Sequence, residues 1–180
     1  MQSDDELSSL VRRAKVGEED ALSELIRRYH RFVFQHAYAV VRSTGDAEEV
    51  AQDTFIRMYQ KLHTLKESHA ISAWLATTTT RIAIDYTRKK RRNATESLEK
   101  LSYRTGIAHD LSAGALVEEA LAALTPEHRA ILLLREQDGY EYAEIAKLLR
   151  IPIGTVKSRL SYAKQAIRST FHGKDHDKHE

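Results

Sequence analysis

Apolar residues recur at helical spacing along the first half of the chain. In 22–41 they return every three or four residues, which is the spacing that puts side chains on one face of an α-helix. Shorter stripes of the same kind run over 7–14, 50–62 and 74–86. The pattern predicts four helices packed into one bundle. Tyr59 falls on the apolar stripe of the third helix, so we expect it to be buried.

A second group of stripes indicates a helix-turn-helix near the C-terminus. Two short apolar stripes, 145–149 and 156–167, are separated by Arg150, Ile151 and Pro152. Proline lacks an amide hydrogen and disfavours helical geometry in the residue before it, so a turn must fall between the stripes. The second helix then buries one face and leaves the other free. Upstream, Thr125-Pro126 predicts a capping residue followed by proline at the first helical position.

Periodicity fades between the two groups, where serine, threonine, glycine and charged residues dominate. The predicted fold class is therefore all-α, with two small helical domains joined by a flexible linker and a helix-turn-helix in the second. We expect an N-terminal bundle over 1–93, the linker over 94–113, the second domain over 114–172 and a disordered tail over 173–180. We expect the third helix of the bundle to begin at Asp46, with Glu49 completing a capping box.

Composition restricts the chemistry. The 180 residues are 30% charged and 7% aromatic, which is typical of helix-rich proteins. No cysteine is present, which excludes disulfides, thiolate metal sites and cysteine nucleophiles. The first residues lack the apolar core of a signal peptide, and no apolar run approaches the length of a membrane span. We expect a cytoplasmic protein that is not itself membrane-embedded.

Positive charge concentrates on the predicted helix-turn-helix. No acidic residue lies between Glu144 and Asp175, whereas cations recur throughout that segment. A segment whose charges are all positive favours a polyanionic partner. The polar side chains between the cations are suited to hydrogen bonds with base edges. The alternative is an ordinary helical hairpin that carries basic residues on its surface. The candidate DNA-binding residues of this helix are Lys157, Ser158, Arg159, Ser161, Tyr162 and Lys164.

Two segments, in this order, resemble the extracytoplasmic-function sigma factors, the small bacterial subunits that give RNA polymerase its promoter specificity. The first is GDAEEVAQDTFIRMYQKL at 45–62, followed by a Trp-Leu segment that ends in the basic run at 88–92. The second is LTPEHRAILLLRE at 124–136, followed by YAEIAKLL and IPIGTVKSRL. Two matches in the right order are far more specific than a lone helix-turn-helix.

The resemblance implies a function and its partners. The chain would bind the bacterial RNA polymerase core, recognise promoter DNA and initiate transcription of a stress-responsive regulon, without catalysing a reaction or holding a cofactor. The family also implies an anti-sigma factor that covers the polymerase-binding surfaces until a stimulus arrives. The helix-turn-helix would read the minus-thirty-five element in the major groove.

The resemblance also implies roles for residues of the first domain. The helix at 46–62 is similar to one that docks on a coiled coil of the largest polymerase subunit, and its core-binding candidates are Glu49, Gln52, Asp53 and Arg57. A solvated face with an ion pair between Asp53 and Arg57 is the alternative. The loop at 65–72 would hold a flipped minus-ten base. The cations that would support the opened strand are Arg81, Arg88, Lys89, Arg91 and Arg92.

Three departures from the family pattern affect these expectations. Arg150 stands at the turn position where the family usually has glycine, Thr77 to Arg81 replaces a typical Arg-Ile-Ala-x-Asn, and Tyr162 replaces a common arginine. A non-glycine residue at positive φ costs on the order of 1 kcal/mol, which the turn should survive. The other two departures concern which promoter sequences are read.

Two rival functions come from other classes. A repressor or activator would bind a palindromic operator as a dimer, but no coiled coil or long apolar helix supplies a dimer interface. A nucleic-acid enzyme would need a catalytic constellation, and the sequence has no glycine-rich phosphate loop or serine elbow. His172, His176 and His179 could bind a metal weakly, but a frayed polar tail is the better account of them, so we assign no metal site.

Overall fold

The computed structural model describes residues 2–65, 70–96 and 113–173. The predicted all-α class is confirmed, because these residues form helices and no strand. The eight α-helices of the described chain are α1 Gln2–Lys15, α2 Glu19–Val41, α3 Thr44–Lys61, α4 Ile71–Glu96, α5 Ala113–Ala122, α6 Pro126–Leu132, α7 Tyr142–Leu149 and α8 Ile153–Gly173. A 3-10 turn, Leu62–Thr64, follows α3, and a π-helical turn, Leu133–Gln137, follows α6. The helices form two compact units that divide inside α4, between Tyr86 and Thr87.

The core of the first unit lies along α2, which packs against α1 and α3. The predicted stripe on α2 is confirmed: Leu25 and Val33 are fully buried, together with Val11 from α1 and Met58 from α3. Tyr59 was predicted to join them, and this prediction was wrong, because its side chain is 66% exposed. It follows Met58 directly and lies about 100° further around the helix, so it points away from the core.

The start of α3 differs by two residues from the prediction. The helix begins at Thr44, and Ser43 is its capping residue, with a side-chain oxygen that accepts a hydrogen bond from the Asp46 amide at 3.4 Å. Asp46 is buried and accepts a hydrogen bond from the Tyr86 hydroxyl at 3.1 Å. Burial, together with the neighbouring carboxylates of Glu49 and Asp46, raises the pKa of Tyr86 above its ordinary value, so the hydroxyl stays a donor. Asp46 and Glu49 therefore face α4 and do not cap α3.

Four consecutive threonines, from Thr77 to Thr80, lie inside α4 and are all buried. Threonine is a poor helix former because its branched β-carbon loses rotamer freedom. Here the hydroxyls bond to the preceding turn: Thr79 donates to the Leu75 carbonyl at 2.7 Å, and Thr80 donates to the Ala76 carbonyl at 2.8 Å. Burial and these hydrogen bonds together hold the segment helical.

The second unit is organised around α8, which packs against α5, α6 and α7. The predicted start of α6 is confirmed, with Thr125 as capping residue and proline next to it. Arg129 of α6 is buried, and its guanidinium donates to the backbone carbonyls of Leu121 and Leu124 at the C-terminal end of α5. Leu121 lies in the last turn of α5 and Leu124 lies two residues beyond its end, so Arg129 caps the helix from outside.

The predicted turn of the helix-turn-helix is confirmed. Arg150 ends α7 in the left-handed region, with φ 53° and ψ 48°, where its amide points back toward the last turn of the helix. The next amide, that of Ile151, donates to the Ala146 carbonyl at 3.1 Å. The chain therefore reverses here without glycine, at the energetic cost of an L-residue in left-handed geometry.

This turn gives a first prediction. We expect Arg150→Gly to raise the free energy of unfolding by about 0.5 kcal/mol, because relief of roughly 1 kcal/mol of strain is partly offset by greater freedom in the unfolded chain. Urea denaturation of the full chain measures it. Arg150→Ala keeps the β-carbon and is the matched control, for which we expect no gain. An equal gain in the alanine variant would mean that strain at Arg150 is not the cause.

Candidate functional site

The exposed face of α8 brings together four of the residues predicted to bind DNA. Lys157, Ser158, Ser161 and Tyr162 are exposed, and Tyr162 is 55% exposed. The opposite face of α8 is buried through Val156, Leu160 and Ala163, which belong to the core of the second unit. The helix is therefore fixed on one side and presents a continuous polar face on the other. Such a face offers donors, acceptors and an aromatic ring to a ligand.

The other two predicted residues of α8 are half-buried. Lys164 Nζ lies 2.8 Å from a carboxylate oxygen of Glu136, so its charge is paired in the free chain. Arg159 lies close enough to His128 to affect its titration. The Ser158 hydroxyl donates to the Thr155 carbonyl at 3.1 Å and retains its lone pairs as acceptors. Lys164 and Arg159 therefore flank the exposed face and do not form its centre.

An aromatic contact that the sequence analysis missed holds Tyr162. The rings of His128 and Tyr162 stack with their centroids 4.7 Å apart and an interplanar angle of 28°. His128 Nδ1 in turn lies 2.9 Å from the Thr125 hydroxyl. Burial, together with the charge of Arg159, lowers the pKa of His128, which favours the neutral ring. No sequence pattern indicates this contact, since His128 and Tyr162 belong to different helices.

The basic run at the end of α4 is mostly exposed. Arg88, Lys89, Arg91 and Arg92 are exposed, whereas Arg81, earlier in the helix, is half-buried. Arg88 and Arg91 both reach the carboxylate of Glu127 in α6, at 3.2 and 3.6 Å. Burial alone would raise the pKa of Glu127, but its own backbone amide and the two arginines bring it below the ordinary value. Glu127 is therefore ionised and compensates part of this positive charge.

The candidate core-binding residues lie on the exposed face of α3. Glu49, Gln52, Asp53 and Arg57 are all exposed. Both Asp53 and Arg57 lie in the described chain, and no ion pair joins them, so the alternative of a face stabilised by that pair is not supported. Glu49 also lies close enough to Tyr86 to contribute to the raised pKa of its hydroxyl.

A largely apolar groove runs beside these residues, between α2 and α3. It has a volume of about 570 Å³. Ile56 is 50% exposed and Tyr59 is 66% exposed at its rim, so the groove leaves apolar surface in contact with water. The side chains that line it are Ile26, His30, Glu48, Glu49, Ala51, Gln52, Phe55, Ile56 and Tyr59. The apolar pattern predicted Tyr59 in the core and indicated no role for Ile56, so this groove was not predicted.

Some predicted features fall outside the described residues. Half of the predicted minus-ten loop at 65–72, namely residues 66–69, is among them. The histidine side chains of the predicted tail, His172, His176 and His179, also lie outside what the structure describes. Among the residues that are described, no cluster of three or more histidine, aspartate or glutamate side chains could hold a metal ion. In the same residues, no helix has the length and apolar character needed to cross a bilayer.

Comparison with protein families identifies both halves of the chain. The family model of Sigma-70 region 2 matches residues 25–93, and that of Sigma-70, region 4, matches residues 115–167. The first match covers α3, its groove and most of α4, and the second covers the helix-turn-helix. The fold and its two sites thus define a sigma-70-type transcription initiation factor.

Curated relatives narrow the class. The chain is 27% identical over 173 residues to the ECF RNA polymerase sigma factor SigW of Bacillus subtilis, covering 88% of this chain and 92% of that protein. It is 32% identical over 153 residues to SigE of Mycolicibacterium smegmatis, covering 81% of this chain and 59% of that one. The chain belongs to the extracytoplasmic-function family of RNA polymerase sigma factors. Its function is promoter recognition and the initiation of transcription.

Solved structures share the fold. CnrH, solved in complex with the cytosolic domain of CnrY, aligns with a TM-score of 0.59 and 22% identity, covering 92% of this chain and 97% of that one. RpoE of Bartonella quintana, solved in complex with the anti-sigma factor NepR, aligns with a TM-score of 0.63 and 21% identity, covering 83% and 96%. Both alignments extend over the two regions of the chain that the sigma-70 family models match.

Proposed function

We propose that the chain binds core RNA polymerase and directs it to promoters by contacting two separate DNA elements. The domain at 1–93 would bind core enzyme and the minus-ten element, and the domain at 114–172 would bind the minus-thirty-five element, with 94–113 as the connection. The observation that carries this proposal is the exposed polar face of α8 opposite a fully buried one. A helix fixed in this way can enter a major groove.

The exposed face of α8 supports a division of roles. Lys157 suits guanine, whose major-groove edge offers two acceptors, and Tyr162 offers both a ring and a hydroxyl. Ser158 and Ser161 can also meet base edges. Arg159 and Lys164, at the margin of this face, would contact phosphates. Phosphate would then replace Glu136 as the partner of Lys164, which it can do because both are anions.

These roles predict different consequences for two neighbouring cations. Arg159→Ala should weaken binding to all minus-thirty-five sequences by a similar factor and reduce the slope of log affinity against log salt by about 1, because one phosphate contact is lost. Lys157→Ala should instead change which sequence is preferred, with the loss confined to about one base pair. Competition binding of the holoenzyme to a minus-thirty-five library at several salt concentrations measures both. Equal losses on every sequence for both variants would contradict the assignment.

The groove on α3 is the polymerase-docking surface in this proposal. Its apolar floor, its exposed Ile56 and Tyr59 and its rim of charged side chains are the features of a helix-in-groove interface. A helical coiled coil of the largest polymerase subunit is the partner that the family implies. Glu49, Gln52, Asp53 and Arg57 would then form polar contacts around the apolar centre, which is the usual arrangement of an interface.

The cations of α4 would support the opened minus-ten strand. The four candidate cations of the basic run are all exposed, and two of them, Arg88 and Arg91, share Glu127 in the free chain. A DNA phosphate is an anion like Glu127 and would compete with it for the two arginines. Arg81 would act earlier along the same helix. The base itself would be held by the loop at 65–72, with strand separation costing a few kcal/mol.

An anti-sigma factor is a further partner in this proposal. RpoE of Bartonella quintana was solved with one, and a partner of that kind would cover the α3 groove and keep core enzyme away. The chain would act in the cytoplasm, where bacterial polymerase works, and would not be a catalyst, since the polymerase performs the chemistry. No cofactor is part of the proposal.

Reconstituted transcription tests the proposal. Purified chain, core polymerase and a library of genomic promoter fragments should yield specific transcripts, and core enzyme alone should yield none of them. The enriched fragments should share two short motifs. The rival repressor would bind its operator without core enzyme and would produce no new transcript. Failure of the chain to associate with core enzyme, also after separation from any bound inhibitor, would overturn the proposal.

A further inference from the structure

The orientation of Tyr162 is determined by a neighbouring helix. Its ring is exposed on the DNA-facing side of α8, and one side of the ring stacks on His128 at 4.7 Å between centroids. An exposed tyrosine on a bare helix would be free to change rotamer about its first side-chain torsion. The stack restricts it, and aromatic pairs of this kind contribute roughly 0.5–1.5 kcal/mol beyond their buried area.

His128 is itself held in place from a second direction. Its Nδ1 lies 2.9 Å from the hydroxyl of Thr125, and that hydroxyl also accepts a hydrogen bond from the His128 backbone amide at 3.4 Å. With its proton on Nε2, the neutral ring accepts the Thr125 hydroxyl proton, so both hydrogen bonds can form together. Thr125 is the capping residue of α6. The chain of contacts therefore begins at a fixed helix terminus and ends at an exposed side chain of α8.

We propose that His128 is a positioning residue for minus-thirty-five recognition: held by Thr125, its imidazole fixes the ring of Tyr162 in the orientation in which it meets DNA. His128 need not contact a base, because it acts through Tyr162. The inference rests on the proposed function, since it assumes that α8 reads the minus-thirty-five element. Its consequence is that a residue outside the recognition helix contributes to sequence preference.

A double-mutant cycle in the holoenzyme tests this inference. Competition binding against DNA in which each minus-thirty-five base pair is varied gives the fold discrimination at every position. His128→Ala should reduce discrimination at the base pairs read by Tyr162 by about three- to tenfold, since the orienting stack is lost. His128→Phe keeps an aromatic ring at that site and should retain most of the discrimination. In the Tyr162→Ala background, His128→Ala should have no further effect on it.

The outcomes separate this inference from the function on which it rests. If the wild-type holoenzyme does not discriminate among minus-thirty-five sequences, the proposed function of α8 fails. If the wild type discriminates but His128→Ala does so equally well, only the role of His128 fails. The role of His128 also fails if His128→Ala causes an equal loss of discrimination in the presence and in the absence of Tyr162. Unchanged urea midpoints for the variants would show that an altered preference is not caused by unfolding.

Discussion

Ile56→Glu should lower the affinity of the chain for core polymerase by about 30-fold, the effect expected when a charge is placed on apolar surface that the partner buries. Ile56 is half-exposed beside the groove between α2 and α3 and has little role in the core, so the variant should fold normally. In the complex its carboxylate would be buried against apolar surface without a partner, which is costly. Equilibrium binding of labelled chain to core enzyme measures the loss.

Val16→Glu is the matched control, because it exchanges a β-branched apolar residue for the same acid in the same unit. Val16 is 82% exposed after the end of α1 and does not line the groove. We expect its affinity for core polymerase to be within about twofold of wild type, as for most surface substitutions. An equal loss in both variants would indicate a general effect of charge. Wild-type affinity in Ile56→Glu would show that the groove is not the docking surface.

Arg129→Ala should lower the stability of the second unit by about 3 kcal/mol, since two charge-assisted hydrogen bonds at the end of α5 are lost and the buried Leu124 carbonyl loses this donor. That is a large part of the stability of a small domain. Minus-thirty-five binding should be lost with it, because α8 depends on the packing of α5 and α6. Arg168→Ala removes an exposed arginine from α8 and should change stability by less than about 0.5 kcal/mol.

The single tryptophan makes the Arg129 experiment specific. Trp74 packs against the core of the first unit, so its fluorescence follows that unit, whereas circular dichroism follows helices in both. In Arg129→Ala, part of the dichroism transition should move to lower denaturant while the fluorescence transition stays in place. An unchanged dichroism transition would contradict the capping role of Arg129. Equal shifts of both transitions would show that the effect is not confined to the second unit.

The helices were predictable because their apolar residues repeat at helical spacing and their ends carry local signals. The stripe on α2 and the cap formed by Thr125 and Pro126 are of this kind, since each depends on residues close together in sequence. The start of α3 was misplaced because Ser43 and Asp46 can both cap a helix. Asp46 is instead hydrogen-bonded to Tyr86, which lies far from it in sequence, so the residues near the start of α3 do not by themselves identify the cap.

The sites were predictable only in part, because they too depend on contacts between residues that are far apart in sequence. The exposed residues of α8 follow from helix geometry once its buried face is known. The groove beside Ile56 needs the relative placement of α2 and α3, and the contact of His128 with Tyr162 needs that of α6 and α8. Tyr59 shows the limit most clearly: an apolar residue next to a buried stripe can face either the core or a partner, and its position in sequence does not decide between them.

The dependence of transcription on the distance between the two promoter elements tests the central claim most directly. One promoter from the reconstituted library is altered by adding or removing single base pairs between its two motifs, and transcription by the holoenzyme is measured. Each step moves one element by about 3.4 Å and rotates it around the duplex. We predict a single narrow optimum, with activity at least about tenfold lower two base pairs away on either side. Activity that is independent of this distance would contradict the account.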